Sequence, residues 1–107
     1  MKRGVVYWVN LEPASPPEFG KVRPGLIISN SELNLSLETV VILPLSSQAP
    51  EIWPFRLALK VPGGRESYVV IPGIRQVHKA RLQEPLGSIS AIALARVEEA
   101  LEAYLRD

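Results

Sequence analysis

The chain has 107 residues, 47% of them apolar and 21% charged, which predicts a single compact, soluble globular domain over 1–107 and excludes a disordered tail. Twelve lysines and arginines against eleven acids leave a net charge of +1, so net charge points to no nucleic-acid partner and any basic site must be local. Cysteine is absent, His78 is the sole histidine and Asp107 the sole aspartate, which argues against disulfides, thiolate zinc sites, a two-imidazole acid–base pair and a clustered-aspartate magnesium site.

Val5 to Leu11 is rich in β-branched and aromatic residues and predicts a first strand. Glu12 to Gly20 follows with Pro13, Pro16 and Pro17, a composition that supports neither helix nor ladder and predicts an exposed, irregular loop. Gly25 to Ser29, Thr39 to Leu45, Phe55 to Val61 and Ser67 to Ile71 read as further strands of a mostly antiparallel sheet. Between them, Leu33 and Leu37 in Ser31 to Glu38 sit four apart, the spacing of a short helical turn. Pro62-Gly63-Gly64 predicts a turn between strands, and Pro72-Gly73 a bend. From Ser90 the period changes. Leu94, Val97, Leu101 and Tyr104 or Leu105 recur at helical intervals, with Ser90 as N-cap and Arg106 near the end that suits the helix dipole. Several short strands and one terminal helix give an α+β fold.

No apolar run approaches the roughly twenty residues of a membrane-spanning helix. Lys2 and Arg3 resemble the basic start of a secretory signal, but Asn10, Glu12 and the prolines follow too soon, so a cytoplasmic location is expected. Residues 1–82 carry ten Lys/Arg and six Glu, a net +4, whereas 83–107 carry a net −3. The sheet half is therefore the place for an anionic partner.

Arg23 precedes Pro24, which biases it to extended backbone, between an exposed loop and a rigid strand. A guanidinium there matches phosphate oxygens, and it equally suits an ordinary strand-start arginine. Ser46-Ser47-Gln48 brings hydroxyls and an amide out where an apolar strand ends, a placement shared by functional groups and by common loop chemistry. Arg75, Lys79 and Arg81, with His78 among them, form a basic stretch that suits a phosphodiester backbone or plain solvation. His78 has no recognisable partner for proton shuttling. Trp8, Tyr7, Trp53 and Phe55 suit base stacking or, at strand positions, the core.

Taken in order, Arg3-Gly4 with Val6 to Leu11, Glu18-Phe19-Gly20-Lys21-Val22-Arg23-Pro24 and Leu26 to Asn30 resemble the start of a MazF/PemK-like toxin. Thr39 to Gln48 is similar to that family's strand ending in Thr or Ser, Pro54-Phe55 to its next strand, and Ile74-Arg75 with Arg81-Leu82 to its later signature. The resemblance covers nearly the whole chain. It implies a small SH3-like barrel of mostly antiparallel strands with a C-terminal amphipathic helix. It also implies a homodimer and a metal-independent endoribonuclease, without cofactor, that cuts single-stranded RNA sequence-selectively and is held inactive by a cognate antitoxin. DNA would be met only through the antitoxin. Arg23 then aligns with the catalytic arginine and Ser46 with the catalytic Thr or Ser, while Glu18, Phe19, Lys21, Ser47, Gln48 and Arg75 fall at substrate-binding positions. The reaction implied is attack of a ribose 2′-hydroxyl on the adjacent phosphorus, giving a 2′,3′-cyclic phosphate and a 5′-hydroxyl.

Three departures accompany the match. Val5 stands where the family usually has Asp, Pro72-Gly73 where it often has Glu-Gln, and His78 in place of a common Asp. They bear on cleavage rate and base preference. Two other readings fit the same barrel. A CcdB-like gyrase poison would act by protein binding, and Tyr104-Leu105-Arg106-Asp107 loosely echoes that family's helix end. A catalytically weakened member would bind RNA or antitoxin without turnover.

Overall fold

The computed structural model describes residues 1–62 and 65–107. The β-branched run at the start forms β1 (Val5–Asn10), which ends before the first proline of the loop. After that loop come β2 (Val22–Ile27), a single helical turn α1 (Leu33–Ser36) and the long β3 (Thr39–Ser46). A hairpin of β4 (Arg56–Val61) and β5 (Arg65–Val70) follows; the glycines expected to turn it lie outside the described residues. A 3-10 turn at Ile71–Gly73 supplies the expected bend. It leads to β6 (Arg75–His78), a second 3-10 turn at Lys79–Arg81, β7 (Leu82–Ser88) and the helix α2 (Ala91–Leu105).

The sheet runs β4-β5-β3-β2-β1-β7, with β6 also on β3, and every pairing is antiparallel. β3 is its axis. β6 borders it from Thr39 to Ile42 and β5 at Leu45 and Ser46, so Pro44 falls at the hand-over between neighbours, where a residue without an N–H is tolerated. The sheet curls into a half-barrel whose far ends meet at Pro62 and Gly87. A Cβ on Gly87 would stand 2.7 Å from the Pro62 Cβ, and its φ of +130° is strained for any side chain.

Alternation along β3 feeds two cores. Leu43 and Leu45 pack with Val6, Leu26, Leu57, Val69 and Ile71 against Val97 and Ala100 of α2. Ile42 and Val40 point to the other face, with Val9, Leu11, Ile27 and Val77, rimmed by Tyr7, Phe19 and Leu82.

Several expectations change in detail. The α1 turn forms where the leucine spacing placed it, yet Leu33, Leu35 and Leu37 are exposed and Asn34 is buried. The Asn34 side chain bonds Ser29 Oγ and donates to the Met1 and Ser29 carbonyls, so hydrogen bonding and not apolar contact seats this turn. Ser90 caps α2, its Oγ accepting from Ala93 N at 3.1 Å. Ala100, outside the expected stripe, is fully buried, while Tyr104 and Leu105 stand exposed at the helix end. β6 and β7 have no counterpart among the expected strands. Among the described residues no helix is long and apolar enough to cross a membrane.

Candidate active site

The register of β2 on β3 builds the site. Gly25 lies opposite Pro44 at the last pair of that antiparallel ladder, and Arg23 and Ser46 stand two residues beyond it on their two strands. Twenty-three positions apart in sequence, the two residues thus come to neighbouring strands. Both residues line an open cleft of about 800 Å³ that also takes in Trp8, Lys21, Ser47 and Glu66. Two cations against one carboxylate favour an anion there.

Ser46 ends β3 and is buried, and its Oγ accepts from Gln48 N at 3.1 Å. That bond uses an acceptor lone pair and leaves the hydroxyl proton for another partner. Arg23 is half-buried; its Nε donates to the Gly20 carbonyl at 3.1 Å, and its Cζ lies 5.0 Å from the centroid of the Phe19 ring. Lys21 has a left-handed backbone, φ 64°. Its N–H donates to Glu12 Oε1 at 2.5 Å and its carbonyl accepts from Leu11 N at 2.8 Å, which pins the loop where it rejoins the sheet.

A second cleft of about 500 Å³ opens on the other side of Phe19, lined by Glu18, Phe19, Arg56, Arg75 and a floor that includes Pro44, Pro72 and Gly73. The candidate residues therefore divide. Arg23, Ser46, Lys21 and Ser47 share the first cleft, and Glu18, Phe19 and Arg75 share the second. Gln48 lines neither; its carbonyl accepts from Arg56 Nη1 at 3.2 Å. Glu18 is partly committed, its Oε1 accepting from Ser15 N at 2.9 Å. Arg56 went unnoticed in the sequence because it reads as one polar step of a strand alternation.

The basic stretch does not act as one surface. Only Arg75 enters a cleft; the Lys79 Nζ is bonded to the Asn34 carbonyl, and Arg81 Nη1 to the carbonyls of Asn10, at 3.2 Å, and Glu12. His78 stands exposed and away from both clefts, its Nδ1 accepting from Ala80 N and its Nε2 4.0 Å from the Glu38 carboxylate. Of the aromatics, Trp8 lines the first cleft, while Trp53 and Phe55 are exposed, Phe55 meeting Tyr104 edge-on at 6.3 Å. Among the described residues no group of three or more His, Asp or Glu is placed to hold a metal ion.

Known proteins share this arrangement of the chain. Residues 2–105 match the model of the PemK-like, MazF-like toxins of type II toxin-antitoxin systems. Endoribonuclease MazF9 of Mycobacterium tuberculosis is 29% identical over 113 residues, an alignment covering 98% of this chain and 96% of the relative. Endoribonuclease EndoA of Bacillus subtilis is 29% identical over 109 residues, covering 98% and 94%. Among solved structures, MazF from Deinococcus radiodurans superposes with a TM-score of 0.86 at 27% identity, over 98% of this chain and 96% of that one. A mycobacterial endoribonuclease in complex with its cognate antitoxin gives 0.82 at 26% identity, over 98% and 94%. A family model that spans all but the first and the last two residues, together with the half-barrel and its terminal helix, makes this chain a member of the PemK-like, MazF-like toxin family of type II toxin-antitoxin systems.

Proposed function

We propose that this protein is the toxin of a type II toxin-antitoxin pair and an endoribonuclease that cuts single-stranded RNA in the cleft shared by Arg23 and Ser46. The observation that carries the reading is that both line one cleft, just beyond the last β2–β3 ladder pair. The nucleophile belongs to the substrate: the ribose 2′-oxygen forms a bond to phosphorus, loses its proton, and the P–O5′ bond breaks. The leaving oxygen gains a proton, and the products are a 2′,3′-cyclic phosphate and a 5′-hydroxyl. The protein's part is to hold the reacting groups in line and to stabilise the charge that grows on the phosphorane. Arg23 supplies the opposing positive charge. Ser46, whose Oγ already accepts from Gln48 N, donates its hydroxyl proton to a phosphate oxygen or to the reacting hydroxyl. No step in this scheme calls on a metal or a cofactor.

Lys21 and Ser47 contact the scissile region, and Glu18 and Arg75 take up neighbouring nucleotides in the second cleft, whose wall Phe19 completes. Gln48 supports the first cleft through its backbone N–H. The active form is a homodimer in the cytoplasm, restrained by a cognate antitoxin, through which alone it meets DNA. Solved relatives in complex with an antitoxin support that partner.

The test is incubation of pure protein with varied single-stranded RNAs in EDTA, with product ends identified chemically. Cyclic phosphate and 5′-hydroxyl ends are expected, and Arg23→Ala should lose at least about a hundredfold in rate, as removal of a transition-state donor does. Intact RNA at high protein concentration refutes the reading; gyrase inhibition without scission transfers the protein to the CcdB-like class, and RNA binding without products to the weakened class.

A further inference from the structure

An arginine on a loop end has four rotatable side-chain bonds, and a free one samples many rotamers. Arg23 is not free. Its guanidinium offers five N–H donors; the Nε–H is spent on the Gly20 carbonyl at 3.1 Å, and one face of the plane is covered by the Phe19 ring at 5.0 Å. Among the described residues no carboxylate and no other acceptor engages the Nη groups. The arrangement thus fixes the inner end of the group and leaves its four outer donors for an incoming anion.

The cradle is itself anchored. Phe19 packs against the second core, the cluster that includes Leu11 and Val9. Gly20 is followed by Lys21, whose two backbone bonds, to Glu12 Oε1 and from Leu11 N, hold this end of the loop to β1. On the far side, Arg81 grips the carbonyls of Asn10 and Glu12. The loop is irregular along its length but tied down at the point from which Arg23 emerges.

We infer that Phe19 and the Gly20 carbonyl are positioning groups that orient the Arg23 guanidinium toward Ser46 before substrate arrives, so that Phe19 acts on the rate through Arg23 and not as a platform for a base. The inference rests on the proposed RNA cleavage and assigns a role within its site. The ring face toward Arg23 is already occupied. Loss of the ring then costs turnover, because a donor misplaced by a fraction of an ångström stabilises the phosphorane less, while RNA affinity, carried by the rest of both clefts, stays.

The experiment compares Phe19→Leu and Phe19→Tyr with the wild type in two measurements. In steady-state cleavage, Phe19→Leu should lower kcat about tenfold with KM within about twofold, and Phe19→Tyr should keep kcat within about twofold. A rise in KM at unchanged kcat would identify a base-stacking role and overturn the inference, as would wild-type kcat in Phe19→Leu or an equal loss in both variants. Nitrogen-15 NMR of the RNA-free protein reads the cradle without catalysis. The Arg23 Nε–H should be shifted by the ring current and slow to exchange in the wild type and in Phe19→Tyr, and should lose both features in Phe19→Leu. An Arg23 signal that does not respond to Phe19→Leu overturns the cradle. A signal that responds as expected, in a protein that cuts no RNA, sustains the cradle and overturns the assigned activity instead.

Discussion

The two clefts share no lining residue, touch only where Arg23 of the first lies over Phe19 of the second, and are built in different ways. The first takes its key pair from two paired strands: Arg23 and Ser46 stand two residues beyond the last ladder pair, Gly25 and Pro44, and line one cleft. The second adds to the strand residues Pro44, Arg56, Val70 and Arg75 a proline-rich loop and a 3-10 turn, so part of its wall lies outside any ladder. The difference teaches where tolerance to change resides. The backbone of a strand-borne pair moves only if the sheet fails, although the Arg23 guanidinium is aimed by the loop at Phe19 and Gly20, whereas a loop-built wall moves whenever one side-chain hook is cut.

The largest effect should come from the ladder's core. Leu43, fully buried where β3 meets β2, should cost about 2–5 kcal/mol when changed to alanine, read as a fall in urea midpoint with the slope kept. A slope that collapsed would show the sheet splitting into separately melting parts and would break the comparison. Next comes the joint between the two constructions. A Cβ on Gly73 would lie 2.5 Å from the Pro44 Cγ and 2.9 Å from its Cδ, both atoms of a rigid ring in β3. Gly73→Ala should therefore cost about 1–3 kcal/mol, with the 3-10 turn pushed away from β3. Unchanged thermal stability would mean that the turn is not seated on the ladder at all.

The smallest effect belongs to the loop. Arg81→Met removes the side-chain donor that holds the Asn10 and Glu12 carbonyls, and these are exposed, so global stability should fall by about 1 kcal/mol or less. Amide exchange should speed up in residues 11–21 and stay slow in β2 and β3. Exchange rising across the whole sheet would show that the loop anchor is part of the cooperative core.

How far this was legible beforehand depends on what kind of signal each element carries. β1, β3 and β4 announce themselves because their residues alternate or cluster as β-branched and apolar side chains, and α2 because its apolar period is helical and a serine precedes it. β6 was invisible, since of Arg75, Gln76, Val77 and His78 only Val77 is buried, and a single inward residue makes no period. β7 was hidden by Pro85 and Gly87, which local rules assign to turns; both are accommodated in an edge strand that pairs only with β1 and does so irregularly. The short α1 turn was read from Leu33 and Leu37, yet a hydrogen-bonded asparagine seats it, and hydropathy spacing cannot register that.

By itself the sequence determined the chemistry that remained open. With no cysteine, one histidine and one aspartate, it left arginines and hydroxyls as the main functional groups, and their order along the chain already resembled a known family. Which of them work together was decided only by tertiary structure. Arg23 and Ser46 came to share one cleft from neighbouring strands, Arg56 of β4 and Arg75 of β6 a second because β5 and β6 both pair with β3, and Lys79 and Arg81, identical in charge to their neighbours, were spent on backbone carbonyls. The physical reason is that a side chain's type is local, but its partners are set by contacts between segments tens of residues apart.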